Sequence, residues 1–533
     1  MEHHEVIVIG AGLAGVAQLC KLKEAGFDAL VLEAAGGLGG TWYNNRYPGC
    51  RFDSESYSYG YSFSDELLQE WDWTEQFSPQ PENLRYLNYV ADKFDLHPQV
   101  RLDSRVRSAV WDEDARIWTV TVEGGEQFSC RFLLAANGIL SAPVLPRIDG
   151  VETFRGPSFH TYDWPHGGID LRGKRVAVIG TGATAVQLIP VIAQQVGELY
   201  VFQRRPNWCA PLRNSPITAE EMADIKARYD EIFERCSQTA GSFIHGIDRR
   251  MTFEVSDEER YEHFEKLYNT PGFAVWLSNF RDVLLDERAN AVFSEFLADK
   301  IRARVDDPVV AEKLIPKDHG FGTRRVPMET GYFEAYNRPN VHLVDLNDTP
   351  IERITETGIR TTGADYELDV IVFATGFDAI LGAFDRIDFV GVDGQKLRDK
   401  WAEGPITYLG IQTHGFPNLI MLTGPQSGSG FTNFGRGIED AVFWTTDLLV
   451  HLLEQGVTRV ENTVEAEDAW VDHIRELYDP LLLTKTRSWF TGFNTNLEGR
   501  DSIRYVAYNG GQPRYRRRLA ACAAEGYEGF VLS

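Results

Sequence analysis

The chain has 533 residues, 43 % hydrophobic and 25 % charged, with a formal net charge of −25. That length predicts roughly two to four domains with ample core. The acidic balance excludes nucleic acid and anionic membrane as partners, because both repel such a surface. Six scattered cysteines form no C-x-x-C pair and no metal-ligand spacing, so a metal site and a redox disulfide are both unexpected and a reducing, cytoplasmic setting is indicated. The opening residues Met1 to Glu5 lack the basic start of a signal peptide. Apolar runs such as residues 371–382 fall short of a membrane span and contain Asp378.

In chain order, Val6-Ile7-Val8-Ile9 reads as a strand running into Gly10-Ala11-Gly12-Leu13-Ala14-Gly15 and a helix, with Ala29 to Glu33 as the next strand. The segment Gly36 to Tyr61 is too irregular for core structure and too aromatic for disorder, so it is expected to wrap a ligand. Trp118 to Val122 and Arg131 to Ala135 read as strands returning to the first sheet. A second unit starts near Asp170, with Val176 to Ile179 leading into Gly180-Thr181-Gly182-Ala183-Thr184-Ala185. Thr218 with Glu221, and Ser256 with Glu259, form capping boxes that open helices. Residues 215 to 320 form a helical insertion. Strands resume at Val341 to Val344 and Leu368 to Ala374, and helices at Asp440–Gln455 and Val464–Tyr478. The expected fold class is α/β, with two Rossmann-like dinucleotide-binding domains and the helical insertion inside the second.

The two glycine turns are dinucleotide fingerprints. The first glycine makes the tight turn and the second admits a pyrophosphate. The third, Gly15 or its substitute Ala185, packs helix on strand. The helix N-terminus then offers free N–H groups to phosphates. Glu33 lies 23 positions after Gly10, and Gln203 lies 23 positions after Gly180. A carboxylate there accepts ribose hydroxyls and repels a 2′-phosphate, whereas Gln203-Arg204-Arg205 supplies two guanidiniums suited to one. FAD is therefore assigned to the first turn and NADPH to the second. Residues 1–145 and 381–533 are expected to form the FAD-binding domain. Residues 146–215 and 329–380 would form the NADPH-binding domain, and residues 216–328 its insertion.

Between the turns lies Phe154-Arg155-Gly156-Pro157-Ser158-Phe159-His160-Thr161-Tyr162-Asp163-Trp164-Pro165, which matches F-x-G-x-x-x-H-x-x-x-W-P. With Gly39 to Tyr43, Arg46 to Asp53, Val201 to Arg204, Gly322 to Arg325, Ala374 to Asp378, Ser488-Trp489 and Gly526 to Phe530, the chain resembles the type I (class B flavoprotein) Baeyer–Villiger monooxygenases from end to end. The resemblance implies an NADPH- and O₂-dependent flavoprotein that inserts one oxygen atom beside a ketone carbonyl through a flavin peroxide, giving an ester or lactone. The protein's part is to hold the cofactor, exclude water and stabilise developing negative charge.

The resemblance places the catalytic arginine at Arg325 and its carboxylate partner at Asp53. It places the flavin among Gly10, Gly12, Gly15, Glu33, Gly40, Thr41, Trp42, Asp53 and Tyr59, with the Gly424-Pro425-Gln426 turn approaching the isoalloxazine. NADPH would meet Gly180, Gly182, Thr184, Gln187, Arg204 and Gly376. Arg324 stands where the family commonly has a lysine for the 2′-phosphate, and Arg205 either assists or faces solvent. Trp489 resembles a residue of a loop that closes over the nicotinamide ribose; a buried core Trp is the alternative. His160 has no acid–base partner in the motif, so a structural role is expected of it, and of Trp164. Asn137-Gly138 replaces the family's usual Thr-Gly, with little effect expected.

Flavin-dependent oxygenation of nitrogen or sulfur is the alternative reaction, which Trp164-Pro165 and the Asp53/Arg325 pair disfavour. A flavin-binding sensor without catalysis is disfavoured by the basic residue at position 325. Arg51 to Tyr57 and Leu314 to His319 most resemble members that take bulky or terpenoid cyclic ketones. The expected partners are a ketone and O₂, in a monomer or homodimer.

Overall fold

The computed structural model describes residues 1–428 and 431–533. Strands β1 (Glu2–Ile9), β2 (Ala29–Leu32), β3 (Val100–Arg101), β4 (Val106–Asp112), β5 (Ile117–Val122) and β6 (Gln127–Ala135) belong to the first sheet. β1 is flanked in parallel by β2, with Val6 opposite Ala29, and by β6, with Val6 opposite Phe132. Its last four residues are buried, which is why Val6 to Ile9 run apolar without alternation.

The second sheet takes β7 (Ser158–His160), β8 (Arg175–Ile179) and β9 (Glu198–Gln203). A parallel bridge of β10 (Ala210–Pro211) with β11 (Met328–Glu329) brackets six helices lying between Ala219 and Leu314. β12 (Val341–Asp345) then rejoins the sheet. After a three-stranded antiparallel sheet of β13 (Ile351–Thr355), β14 (Gly358–Thr361) and β15 (Asp365–Glu367), β16 (Val370–Phe373) completes it. Its order is β12-β9-β8-β16-β7 and every pairing is parallel. The chain returns to the first sheet through β17 (Asp388–Val390) and β18 (Leu419–Met421), which pair with β4 and β6. Two mainly parallel sheets, each beginning strand–glycine turn–helix, make the α/β double-nucleotide architecture.

Both capping boxes form: Thr218 with Glu221 opens the helix Ala219–Ala227, and Ser256 with Glu259 opens Asp257–Asn269. Two features differ from expectation. The His160 motif is not solely a connection, because Ser158–His160 is an edge strand paired with β16. The sheet at residues 351–367 was not anticipated; its strands are short and rich in charged residues, so their alternation is weak. The long helix Phe434–Glu454 packs on the first helix, Leu13–Glu24, and Gln18 Nε2 donates to Thr446 Oγ1 at 2.9 Å across the seam. Among the described residues, no helix is long and apolar enough to cross a membrane and no cluster has metal-holding geometry. All six cysteines are buried and unpaired.

Candidate active site

Both glycine turns sit at the carboxyl ends of central strands, where open α/β sheets bind ligands. Gly10 and Gly180 adopt φ of +101° and +112°, which side chains rarely tolerate. Gly10 N–H donates to Leu32 O at 2.9 Å and Gly180 N–H to Phe202 O at 3.0 Å, so Glu33 and Gln203 are structural equivalents. In the first turn, a Cβ on Gly15 would be driven into the carbonyl oxygen of Gly10. Gly12 faces Gly40, where a Cβ would come within 2.8 Å of the Gly12 Cα. Glu33 is buried and accepts Ala11 N–H at 2.6 Å and Ala35 N–H at 2.8 Å. Burial pushes its carboxyl up while these N–H groups pull the other way. Thr41 is exposed at the mouth. Trp42 donates to Tyr59 OH at 3.2 Å, and Tyr59 stacks on Phe52 with ring centres 4.5 Å apart.

The second turn is as tight as the first at its leading glycine, where a Cβ on Gly180 would meet Ala374 O at 2.4 Å as one on Gly10 would meet Ala136 O at 2.6 Å, but it opens at Gly182. Gly182 is exposed and a Cβ there would meet nothing within 4 Å; Gly376, with φ of +80°, is equally free. Gln203 is buried, and its Nε2 donates to Lys313 O of the insertion at 2.7 Å. Nearby, Arg204 is exposed, and Arg205 and Arg324 approach one carboxylate, Asp318, each at 3.5 Å.

Asp53 stands between the turns. Its Oδ2 accepts Arg325 Nη2 at 2.8 Å, and its Oδ1 lies 3.5 Å from Gln187 Nε2. Burial pushes the carboxyl up, and the guanidinium opposes the shift. Gln187, on the helix after the second turn, also accepts Tyr47 OH at 2.9 Å and donates to Arg51 O at 3.0 Å; Thr184 on the same helix reaches Tyr47 too. Gln187 thus ties the second nucleotide helix to the loop that carries Asp53. The insertion supplies what sequence reasoning missed: Phe273 and Trp276 cover the Arg325 guanidinium, with ring centres 4.6 and 5.8 Å from its central carbon. These positions carry no motif, only aromatic residues in a helical stretch.

Trp489 packs against Phe490 at 4.5 Å and lines a cavity with Ile139, Ile380, Leu422 and Gly424. Its segment is held by Thr486 Oγ1 to Thr323 Oγ1 at 2.9 Å and by Arg500 to Asp378 at 3.2 Å. The Gln426 side chain is held by Thr407 Oγ1 at 2.7 Å, Pro405 O at 2.9 Å and Tyr505 O at 3.3 Å, which fixes the Gly424-Pro425-Gln426 turn. His160 is bonded to backbone on both ring nitrogens, Tyr162 N–H to Nδ1 and Nε2 to Gly376 O, each at 3.0 Å. Burial brings its pKa down to about 4, so the ring is neutral and structural. Asn137 lies beside Gly10 with its buried amide oxygen and nitrogen both unpartnered among the described residues.

Residues 7–291 match the model of the pyridine nucleotide-disulphide oxidoreductase family. The chain is 47 % identical over 99 % of its length to the 2-oxo-Δ3-4,5,5-trimethylcyclopentenylacetyl-CoA monooxygenase of Pseudomonas putida, covering 98 % of that protein. It is 39 % identical to a Baeyer–Villiger monooxygenase of Pseudooceanicola batsensis and 39 % identical to phenazine N-monooxygenase PhzNO1 of Lysobacter antibioticus. Each match covers 99 % of this chain, with 96 % and 97 % of the relatives. A crystal structure of OTEMO in complex with FAD and NADP superposes with a TM-score of 0.96 at 46 % identity over 99 % of both chains. The chain belongs to the Baeyer–Villiger monooxygenase family. Its departure from the disulphide branch of the wider family is chemical, since its cysteines are dispersed and buried.

Proposed function

We infer that this chain is an FAD- and NADPH-dependent Baeyer–Villiger monooxygenase, inserting one oxygen atom of O₂ beside a ketone carbonyl to give an ester or lactone. The observation that carries the reading is the pair of buried Asp53 with half-buried Arg325 at 2.8 Å, bridged by Gln187 to the second nucleotide helix. The residues present fit both cofactors. Facing glycines, the Glu33 carboxylate and the unpartnered Asn137 amide suit FAD at the first turn; open space at Gly182 and three arginines suit NADPH at the second. Bound together, these cofactors supply the electrons and the oxygen-activating chemistry.

Arg325 would present its guanidinium to negative charge that develops at the reacting oxygen, with Phe273 and Trp276 covering one side of it. Asp53 holds that cation at one end. Glu33 would bind the FAD ribose, with Gly10, Gly12, Gly15, Gly40, Thr41, Trp42 and Tyr59 around the rest of it. Gly180, Gly182, Thr184, Gln187, Arg204, Arg205, Arg324 and Gly376 would hold NADPH, and Trp489 would cover the nicotinamide side. On this reading residues 1–145 and 381–533 carry the flavin and 146–380 the NADPH, in a cytoplasmic monomer or homodimer. The ketone class is bulky and cyclic, a reading supported by the trimethylcyclopentenyl substrate in the P. putida relative's name. The phenazine N-monooxygenase relative supports a second reading, oxygen transfer to nitrogen or sulfur.

One experiment separates them. The yellow holoenzyme is given NADPH, labelled O₂ and a panel of cyclic, aryl and long-chain ketones, a phenazine and a sulfide, with products read by mass spectrometry. A lactone or ester carrying one labelled oxygen is expected, with NADPH preferred to NADH by at least about ten-fold. Heteroatom oxides alone would replace the first reading by the second, and equal use of NADH would remove NADPH from the second turn.

A further inference from the structure

Three arginines surround the second turn, and one carboxylate stands among them. Asp318 Oδ2 is shared by Arg205 Nε and Arg324 Nη2, each at 3.5 Å, while Oδ1 is held by His319 Nδ1 at 2.7 Å. The His319 bond, reinforced by Arg324 and Arg205, holds the Asp318 carboxyl down at about 2, so Asp318 is an anion at any working pH. The His319 side chain is fully enclosed, and its Nε2 has no partner among the described residues. Burial lowers its pKa, which leaves a neutral ring whose Nδ1–H points at Asp318.

Contacts of 3.5 Å are at the outer limit of hydrogen bonding. The carboxylate therefore gathers the two guanidiniums without saturating them. Arg324 Nε is buried and unpartnered among the described residues. Burial disfavours the charged form of Arg324; Asp318 opposes this, and the neighbouring Arg205 and Arg204 add to it. Such a cluster needs a counter-ion when no phosphate is present.

We propose that Asp318 is a built-in counter-ion of the 2′-phosphate cradle, competing with the phosphate for Arg205 and Arg324 and thereby setting how tightly a 2′-phosphorylated nucleotide is held. This rests on the NADPH reading of the second turn. An arriving phosphate takes over the two guanidiniums, and the carboxylate keeps its bond to His319. When the nucleotide leaves, Asp318 reclaims them, so the site never presents three bare cations. Tightness is thereby exchanged for turnover, since the oxidised nucleotide must depart in each cycle.

The test titrates adenosine 2′,5′-bisphosphate and 5′-AMP into the flavin-loaded protein by calorimetry, comparing the parent with Asp318→Asn and Asp318→Ser. Retention of flavin and an unchanged melting temperature serve as folding controls. The expected result is bisphosphate binding about three- to ten-fold tighter in both variants at low salt, with 5′-AMP unchanged, and a lower KM for NADPH accompanied by a lower kcat. Bisphosphate binding that is equal or weaker, or 5′-AMP tightening in step, overturns the competition. If the parent itself does not distinguish bisphosphate from 5′-AMP, the NADPH reading falls and this proposal falls with it.

Discussion

The two glycine turns share strand, turn and helix, yet they are built to different tolerances. The first is closed: Gly15 is jammed against Gly10, Gly12 faces Gly40, and Glu33 is locked by two backbone N–H groups. The second is tight at Gly180 but open at Gly182, which faces free space, and its Arg205 and Arg324 share a single loose counter-ion. A preformed, tightly packed cradle suits a cofactor that stays. A cradle with reserved cations suits one that comes and goes. The same motif thus serves residence or exchange according to what packs around it.

The comparison is broken most directly by adding one methyl group to each turn. Gly15→Ala should abolish flavin retention, because the methyl has only backbone to displace and overpacking there costs more than about 3 kcal/mol. Gly182→Ala should leave flavin content intact and stability within about 0.5 kcal/mol, while raising the KM for NADPH about ten-fold, because its methyl occupies phosphate space. Absorbance of the purified proteins and steady-state NADPH oxidation read both outcomes; equal losses from the two variants would erase the distinction.

A smaller perturbation acts between the turns. Arg325→Ala should still allow NADPH to reduce the flavin but should lower ester formation by at least about 100-fold. Ester made at the parental rate would remove Arg325 from its role, and loss of flavin reduction would move that role to the hydride step.

The smallest effect concerns the strand that links the two units. His160 is held neutral, with its folded pKa depressed to about 4. As pH falls, the unfolded chain takes the proton first. The contribution of the neutral ring is therefore complete above about pH 6.5 and lost progressively down to about pH 4, reaching roughly 3 kcal/mol. His160→Gln can make both backbone bonds without titrating, so its melting temperature should fall less steeply over that window. Parallel pH profiles would show that the buried ring does not contribute to acid sensitivity.

Much of the first-order fold was legible because it rests on local rules. Val6 to Ile9 and Val176 to Ile179 are unbroken apolar runs before glycines that need positive φ, and both capping boxes are spelled within four residues. Legibility failed where a side chain's partner is distant in sequence. Gln203 is the neutral counterpart of Glu33, but its bond to Lys313 O spans 110 residues. The partners of the Gln426 amide, at residues 405, 407 and 505, lie in other loops. Phe273 and Trp276 were read only as part of a helical insertion, because an aromatic wall over a cation has no sequence spacing.

By itself the sequence determined that two dinucleotide units alternate along the chain, that one is acidic and the other basic at the ribose position, and that a Baeyer–Villiger motif joins them. These are periodicities and short-range geometries, which the backbone enforces wherever the residues occur. Only the tertiary structure decided that Gln187 joins the Asp53–Arg325 pair, that the second turn opens at Gly182, and that Asp318 stands among the arginines. Those facts depend on packing between segments that are not neighbours in the sequence, and charge placed in such packing is governed by burial and partners that no local pattern records.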